Sequence, residues 1–201
     1  HPLGATGLAG GRTGDRIVED LALEGILNDF VRISDESRTS IAVVDPTAGA
    51  LTEVYEWGPA VRREELDVLA DKLRYLARVA SYVVFSGSLP RDVENTFYAE
   101  MIRDLTRRGI QCVLDCEGEP LRLGVEAEPF LVSPNQQEAE SLVGQEFTDQ
   151  EDFVMALETI AKEFNLSETT FVMKPENPAN TAKYVSMIGP NQSPTFAVPR
   201  D

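Results

Sequence analysis

Three segments of the chain share one pattern: an apolar run, then a short polar loop, then residues that favour the start of a helix. They are 82–90, 111–120 and 130–138. Strands that alternate with helices are typical of a mostly parallel sheet with right-handed crossovers. We therefore expect an α/β fold with parallel strands near 82–86, 110–115 and 130–133.

The spacing of apolar residues predicts further elements around these segments. Helices are expected over 10–24, 62–80, 95–108 and 148–164, and strands over 170–174 and 183–188. Gly109 suits the end of the third helix, and the capping-box sequence Thr148 to Glu151 suits the start of the fourth. The Pro-, Asn- and Ser-containing segment 189–201 is expected to be a loop or tail, so that 1–188 forms a single domain.

One predicted hairpin interrupts the alternation of strands and helices. Residues 39–45 and 51–57 read as strands that flank a turn at 46–49. A hairpin inserted into a parallel fold is typical of a lid. Exposed apolar residues, among them Val43, Val54 or Trp57, would favour pairing of this lid with a second copy of the chain.

Composition and charge narrow the classes of function. The 201 residues are 42% hydrophobic, enough for one good core, and 34 acidic against 18 basic residues give a net charge of -16. This balance argues against nucleic acid or an anionic membrane as the main partner. The sequence shows neither a membrane-span pattern nor a signal-peptide pattern.

Cysteine and histidine usage adds two constraints. Cys112 and Cys116 fall on one face of a predicted strand and read as reduced core residues, which indicates a cytoplasmic protein. The only histidine is His1, so histidine triads, histidine zinc sites and histidine general bases are excluded.

Polar residues mark the carboxyl ends of the three central strands, where ligands of parallel sheets bind. They are Ser86, Ser88, Asp115, Glu117, Asn135 and Glu138. This set suits a phosphorylated ligand and a hard cation. Asn135 and Glu138 also fit a helix cap, and both roles can hold together. Asp115 ends a buried strand and therefore needs metal, water or a helix N-terminus as a partner.

Several motifs, in this order and at these spacings, resemble those of the ribokinase-like sugar kinases. They are Ser-Gly-Ser-Leu-Pro at 86–90, Asp-x-x-Gly-Glu-Pro at 115–120, and Pro-Asn-x-x-Glu at 134–138, supported by Ser-Arg-Thr at 37–39 and Gly-Gly-x-x-Gly-Asp at 10–15. The resemblance covers about 4–164 and is strongest to the phosphofructokinase-B branch, with 1-phosphofructokinase and tagatose-6-phosphate kinase. It implies a three-layer α/β/α fold, a lid that can pair between subunits, and Mg²⁺-dependent transfer of phosphate from ATP to a sugar phosphate. Fructose 1-phosphate, fructose 6-phosphate and tagatose 6-phosphate stay open as substrates.

The resemblance also implies roles for individual residues. Arg38 and Ser88 would contact the sugar phosphate, with Gly87 as a turn that lets the backbone approach it. Asn135, Ser133 and Asp115 would face the nucleotide, and Glu138 with Asp115 would organise Mg²⁺. A guanidinium is suited to a phosphate clamp. Taken without the motif, Arg38 reads as a surface arginine that pairs with nearby Asp35 or Glu36.

Departures from the family pattern limit what these residues are expected to do. Ser133 stands where the family usually has a lysine, and the Gly-Ala-Gly-Asp motif that supplies the anion hole and the catalytic base is absent. The chain therefore looks like the middle of a family member, incomplete at both ends and poorly active by itself, with no catalytic residue assigned. A degenerate member that binds a sugar phosphate or a protein partner without turnover is the alternative. A doubly wound binding domain outside the family would require the motifs to be coincidental.

Overall fold

The computed structural model describes residues 3–47, 50–147, 156, 159, 160, 162, 164, 169–172, 184–187 and 195–197. The chain divides into two compact units. The first unit is His1–Leu76 with Pro90–Val93, and the second is Ala77–Leu89 with Glu94–Asp201.

Short parallel strand pairs and an antiparallel hairpin make up the first unit, together with two helices. In chain order these are β1 (Gly4–Ala5), β2 (Leu8–Gly10), α1 (Gly11–Leu23), β3 (Leu27–Asn28), β4 (Val31–Ile33), β5 (Ser40–Asp45), β6 (Ala50–Tyr55) and α2 (Arg63–Leu76). β1 pairs with β3 and β2 with β4, both in parallel. β5 and β6 pair antiparallel from Ser40 opposite Tyr55 to Asp45 opposite Ala50, which confirms the predicted hairpin.

Close backbone approach fixes α1 against β2. Gly14 is buried in α1, and a Cβ at this position would lie 2.8 Å from the carbonyl carbon of Ala9. Any larger residue would push the helix away from the strand, so glycine at this position allows the helix to pack on β2.

A buried carboxylate joins β4 to α2. Glu65 accepts hydrogen bonds from the backbone N–H groups of Ser34 and Arg62, both at 2.9 Å, and from the Arg62 guanidinium at 2.8 Å. These three donors satisfy a charge that would otherwise be costly to bury. The contact fixes where α2 begins.

The second unit is built on a six-stranded sheet. Its elements are a 3₁₀ helix (Ala77–Val79), β7 (Tyr82–Ser86), α3 (Phe97–Thr106), β8 (Gln111–Asp115), α4 (Gly118–Val125), β9 (Leu131–Val132), α5 (Gln136–Val143), β10 (Thr170–Val172), β11 (Tyr184–Met187) and β12 (Thr195–Ala197). The strands lie in the order β7-β8-β9-β10-β11-β12. β7 to β10 are parallel, whereas β11 and β12 are antiparallel to their neighbours. The parallel strands predicted near 82–86, 110–115 and 130–133 are confirmed.

The core of the second unit lies on one face of this sheet. Phe85, Cys112, Leu114 and Val132 are buried there, and the helices supply Ile102, Leu105, Leu121 and Val125. α3 and α4 contact β8 and each other, so they cover the same face of the sheet. Cys112 and Cys116 are both buried and free, as expected.

The ends of several elements differ from the predicted bounds. The helix expected over 62–80 ends at Leu76 and continues as one 3₁₀ turn, a common way to close a helix. The third helix begins at Phe97 rather than Asn95, and Gly109 follows it with a φ of 80°. Residues 148–155, where the fourth helix was expected to begin, lie outside the described residues.

Part of the segment 189–201 is a strand, which corrects the prediction of a loop or tail. β12 pairs with β11, with Tyr184 opposite Ala197 and Ser186 opposite Thr195. β11 directly precedes β12 in the chain, and the two strands form an antiparallel pair that the Pro-, Asn- and Ser-containing composition of the segment did not indicate. The prediction of a single domain over 1–188 stays a prediction. No helix in the described part of the chain is both long and apolar enough to cross a membrane.

Candidate functional site

The carboxyl ends of β7, β8 and β9 form one edge of the sheet in the second unit. Ser86 lies opposite Asp115, and Leu114 lies opposite Val132, so the three neighbouring strands end in register. The loops that follow these strands begin with Gly87, Cys116 and Ser133. This topology brings most of the predicted site residues to one edge, which we call the rim: Gly87, Ser88, Asp115, Ser133 and Asn135.

Backbone hydrogen bonds hold the first residue of two rim loops. The N–H of Gly87 donates to the carbonyl of Asp115 at 3.0 Å, and the N–H of Ser133 donates to the carbonyl of Leu114 at 2.9 Å. Gly87 has a φ of 96°, where other residues are strained, while a Cβ there would meet no neighbouring atom. Glycine at this position therefore serves the turn, and the next residue, Ser88, is exposed.

The side chain of Tyr98 supports the turn at Gly87. Its hydroxyl donates to the carbonyl oxygen of Gly87 at 3.1 Å, and its ring lies 5.5 Å from that of Phe85. Burial raises the pKa of Tyr98 to about 12, with a smaller contribution from Cys116. The phenol therefore stays protonated and able to donate at neutral pH. Tyr98 was not identified from the sequence, where its only signal is an aromatic residue in the first turn of the helix after the loop.

Asn135 and Glu138 form a complete capping box at the start of α5. The Asn135 side-chain oxygen accepts from the N–H of Glu138, and the Glu138 carboxylate accepts from the N–H of Asn135, both at 2.8 Å. The helix-cap interpretation is confirmed. A carboxylate has about four lone-pair sites, so the cap uses only part of the accepting capacity of Glu138.

Asp115 at the rim and Glu138 beside it are the carboxylates that could hold a cation. Within the described residues, no group of three or more His, Cys, Asp or Glu side chains is arranged to hold a metal ion. Mg²⁺ takes few protein ligands, keeps several waters and relies on substrate phosphates. Asp115, half-buried at the end of β8, and Glu138 at the start of α5 supply oxygen atoms of the type that such a hydrated ion requires.

A small cavity lies between α4 and α5, next to Glu138. Its volume is about 190 Å³, and Gly118, Glu119, Arg122, Glu138 and Ser141 contribute to its lining. Arg122 is bound to Glu119 and Glu126, with both N–O distances 2.6 Å. Ligand pockets usually measure about 300–1,000 Å³, so this cavity by itself does not enclose a nucleotide.

Arg38 belongs to the first unit, whereas the rim residues belong to the second. Arg38 is exposed, and its neighbour Ser37 is buried. Whether Arg38 and the rim act on one ligand therefore stays a prediction.

The two acidic residues before Arg38 are bonded to backbone N–H groups. Asp35 accepts from Ala60 at 2.8 Å and from Glu36 at 3.0 Å. Glu36 accepts from Arg12 at 3.2 Å and from Thr13 at 2.7 Å. These hydrogen bonds lower the pKa of both carboxyl groups. Both carboxyl groups therefore remain charged and are held by backbone N–H groups of other residues in the chain.

The glycines at 10–11 make room for the segment that contains Asp35 and Glu36. At both positions the backbone comes close to another part of the chain. A Cβ at Gly10 would overlap the carbonyl oxygen of Asp35, and a Cβ at Gly11 would overlap the carboxylate of Glu36. The Glu36 carboxylate thus takes the N-terminal N–H groups of α1 that an anion would otherwise use.

Comparison with known proteins places the chain in a family. Residues 2–187 match the model of the pfkB family carbohydrate kinases. The phosphofructokinase-2 of Escherichia coli, solved in complex with fructose 6-phosphate, is 26% identical, with a TM-score of 0.81 over 98% of this chain and 62% of that one.

More distant structures share the fold. A possible 1-phosphofructokinase from Thermotoga maritima is 23% identical, with a TM-score of 0.78 over 93% of this chain and 57% of that chain. The ribokinase of Giardia lamblia is 13% identical, with a TM-score of 0.71 over 98% of this chain and 60% of that one. The predicted ribokinase-like α/β fold is confirmed. The chain spans about three-fifths of the length of these proteins.

Proposed function

Because the chain belongs to the pfkB family of carbohydrate kinases, we propose that the protein transfers the γ-phosphoryl group of ATP to a phosphorylated ketohexose. The observation that carries this proposal is the rim, where Ser88, Asp115 and Asn135 lie at or just after the carboxyl ends of three adjacent parallel strands. Parallel α/β sheets bind their ligands at this edge. The motif resemblance and the fold of the similar kinases support the same assignment.

In this proposal the site residues bind two ligands, the sugar phosphate and the nucleotide. Arg38 and Ser88, with the backbone at Gly87, hold the phosphate of the sugar. Asn135 and Ser133 face the nucleotide, and the carboxylates of Asp115 and Glu138 orient waters around Mg²⁺. Asp115 and Glu138 would hold this hydrated ion, whose positive charge would offset the negative charge that develops during phosphoryl transfer.

Positioning is the main task of the chain in this reaction. Phosphoryl transfer depends on alignment of the two substrates and on stabilisation of charge, and little covalent chemistry is left to the protein. The backbone bonds at Gly87 and Ser133 keep the rim loops in register with the sheet. No residue of this chain matches the family's base motif, so none is proposed as the base.

A sugar-phosphate panel with ADP release as the readout tests the proposal. Fructose 1-phosphate, fructose 6-phosphate and tagatose 6-phosphate are each offered with ATP and Mg²⁺. ADP release that depends on one of the three sugar phosphates is the expected result. Calorimetric binding of a sugar phosphate without ADP release would favour the alternative, a non-catalytic family member, which is suggested by Ser133 in place of the usual lysine.

A substitution at Glu138 separates metal chemistry from helix capping. Glutamine still accepts the N–H of Asn135, so Glu138→Gln should leave thermal stability close to that of the unmodified protein. Loss of the charge weakens the outer shell around Mg²⁺, so turnover should fall at least about tenfold, with partial rescue at high Mg²⁺.

Glu100→Gln is the matched control for this experiment. Glu100 also lies in the first turn of a helix and accepts a hydrogen bond from the residue before that helix, Thr96, at 2.8 Å. Its replacement should leave turnover and its Mg²⁺ dependence unchanged. If Glu138→Gln behaves like this control across a magnesium titration, Glu138 is a helix cap only.

We also propose that the protein is a cytoplasmic homodimer that pairs through the β5–β6 hairpin. Val43 is 57% exposed, Val54 is 56% exposed and Trp57 is 82% exposed. Covering such apolar side chains favours association. Analytical ultracentrifugation should show a dimer that Val43→Asp converts to a monomer, and a monomer at high protein concentration without the substitution would contradict the proposal. Free buried cysteines are consistent with a reducing compartment.

A further inference from the structure

We infer that Glu36 and Ser37 position Arg38, so that its guanidinium is held ready for the phosphate of the sugar. This inference rests on the proposed function, in which Arg38 binds that phosphate. It assigns to Glu36 and Ser37 a role in affinity that follows from how the structure holds the backbone on both sides of Arg38.

Ser37 fixes the backbone immediately before Arg38. Its hydroxyl oxygen accepts from the N–H of Gly10 at 3.0 Å, and its own N–H donates to the carbonyl of Gly10 at 3.0 Å. Ser37 is only 8% exposed, and Gly10 is the last residue of β2. This reciprocal pair therefore ties the segment before Arg38 to a strand of the first unit.

Glu36 ties the same segment to α1. Its carboxylate accepts from the N–H groups of Arg12 and Thr13, which lie in the first turn of that helix. First-turn N–H groups have no partner within their own helix, and the positive end of the helix dipole favours a carboxylate there. Gly11, with a φ of 61° and no Cβ, makes room for this approach.

The residue after Arg38 is also tied. The N–H of Thr39 donates to the Glu56 carboxylate at 2.9 Å, and the N–H of Glu56 donates to the carbonyl of Thr39 at 3.3 Å. Arg38 is thus an exposed residue whose backbone is held from both sides. Ordering a flexible loop on binding reduces affinity, so a loop that is ordered beforehand binds more tightly. The geometry explains why a buried serine and a helix-capping glutamate lie directly before a phosphate-binding arginine.

Affinity measurements on a double-mutant cycle test this inference. Calorimetry with fructose 1-phosphate, fructose 6-phosphate and tagatose 6-phosphate first selects the sugar phosphate that binds most tightly. Glu36→Ala should then raise its Kd and KM by about fivefold to tenfold with kcat changed less than about twofold, since the contact to the phosphate is made equally in the ground and transition states. Glu36→Asp, which keeps the charge on a shorter side chain, should give a smaller increase and replaces Glu36→Ala if that variant does not fold.

The cycle shows whether Glu36 acts through Arg38. Residues that act through one another are not additive, so in an Arg38→Ala background the Glu36 substitution should change the Kd by less than about twofold. Glu140→Ala is the matched control, because Glu140, like Glu36, accepts a hydrogen bond from a backbone N–H, here at 2.8 Å. Glu140 accepts its second hydrogen bond from a side-chain amide, also at 2.8 Å, and it lies in α5 rather than beside Arg38. It should lower stability without changing the Kd for the sugar phosphate.

The possible failures are distinguishable. If Arg38→Ala weakens binding but Glu36→Ala and Glu36→Asp do not, the positioning role is overturned and the proposed function stands. Full additivity of the Glu36 and Arg38 effects also overturns it. If no sugar phosphate binds, or if Arg38→Ala leaves the Kd unchanged, the proposed role of Arg38 fails and this inference fails with it.

Discussion

Replacing Tyr98 with phenylalanine removes one hydroxyl group and leaves the ring that packs 5.5 Å from Phe85. The hydroxyl donates to the carbonyl of Gly87 at 3.1 Å. The substitution therefore isolates a single hydrogen bond between the start of α3 and the turn that follows β7.

The expected loss of stability at neutral pH is small. An internal hydrogen bond contributes about 0.5–1.5 kcal/mol net, and because Gly87 is exposed, water can reach its carbonyl once the phenol is gone. We expect Tyr98→Phe to lower the free energy of unfolding by about 1 kcal/mol. For a chain of about this length, that corresponds to a fall in Tm of roughly 2–4 °C.

The stability difference between the two proteins should largely disappear in alkaline solution. The pKa of Tyr98 is raised from 10.0 to about 12 in the folded protein, chiefly by burial. A raised pKa means that the folded state holds the proton more tightly, so its contribution is complete below the unfolded pKa and declines as pH rises towards the folded value. At about pH 11, which is one unit above the unfolded pKa of 10.0 and one unit below the folded pKa of about 12, the free energy of unfolding has fallen by about 1.4 kcal/mol. This loss is absent from Tyr98→Phe, so the two proteins should have nearly equal stability there.

Urea denaturation of both proteins at about pH 8 and about pH 11 measures the two differences. Other titrating groups are common to both proteins and cancel in the comparison. Tyr82→Phe is the control, since this residue is exposed and should show no change at either pH. A stability difference between Tyr98→Phe and the unmodified protein that is the same at both pH values would refute the burial of a protonated phenol.

Two further substitutions test the packing and charge of the fold. The pKa of Glu65 is lowered to about 2, chiefly by the Arg62 guanidinium and then by backbone N–H groups. The stability that the charged carboxylate contributes is therefore present above the unfolded pKa of 4.5 and is lost as pH falls towards 2. The urea midpoints of the unmodified protein and Glu65→Gln should therefore differ at about pH 6, and this difference should become clearly smaller at about pH 3. A difference that is the same at both pH values would contradict this. A Cβ at Gly124 would overlap the side chain of Leu114, and both residues are buried. Gly124→Ala should therefore lower the free energy of unfolding by about 1–3 kcal/mol, although alanine has the better helix propensity. Leu114→Val in the same chain should recover part of that loss in Tm, and a Tm raised by Gly124→Ala alone would show that the helix moves freely.

Local patterns in the sequence predicted the strands and the helix cap of the rim. β7, β8 and β9 follow from apolar runs that end in polar loops, and parallel pairing follows from their alternation with helices. The capping box of Asn135 and Glu138 spans only four residues, so both partners can be identified from the local sequence. The hairpin was predictable for the same reason, since its two strands flank one short turn.

Contacts between distant residues could be found only in the tertiary structure. Ser37 bonds to Gly10 across 27 positions, and Glu36 reaches the first turn of α1 across 24 and 23 positions. Nothing in the local spacing distinguishes these residues from a polar surface loop. The strand β12 was expected to be a loop for a different reason: the segment 189–201 contains Pro, Asn and Ser, although its partner β11 directly precedes it in the chain.

The amino-acid sequence by itself determined the α/β fold, the family resemblance and the positions of Ser88, Asp115 and Asn135 at or just after the ends of their strands. Periodicity and capping are local properties, and each arises from residues within a few positions of one another. The tertiary structure decided that the glycines at 10–11 lie against Asp35 and Glu36, and that Tyr98 supports the turn at Gly87. These outcomes depend on which loops the strand pairings bring together, and long-range pairing is set by the packing of the whole core rather than by any single segment.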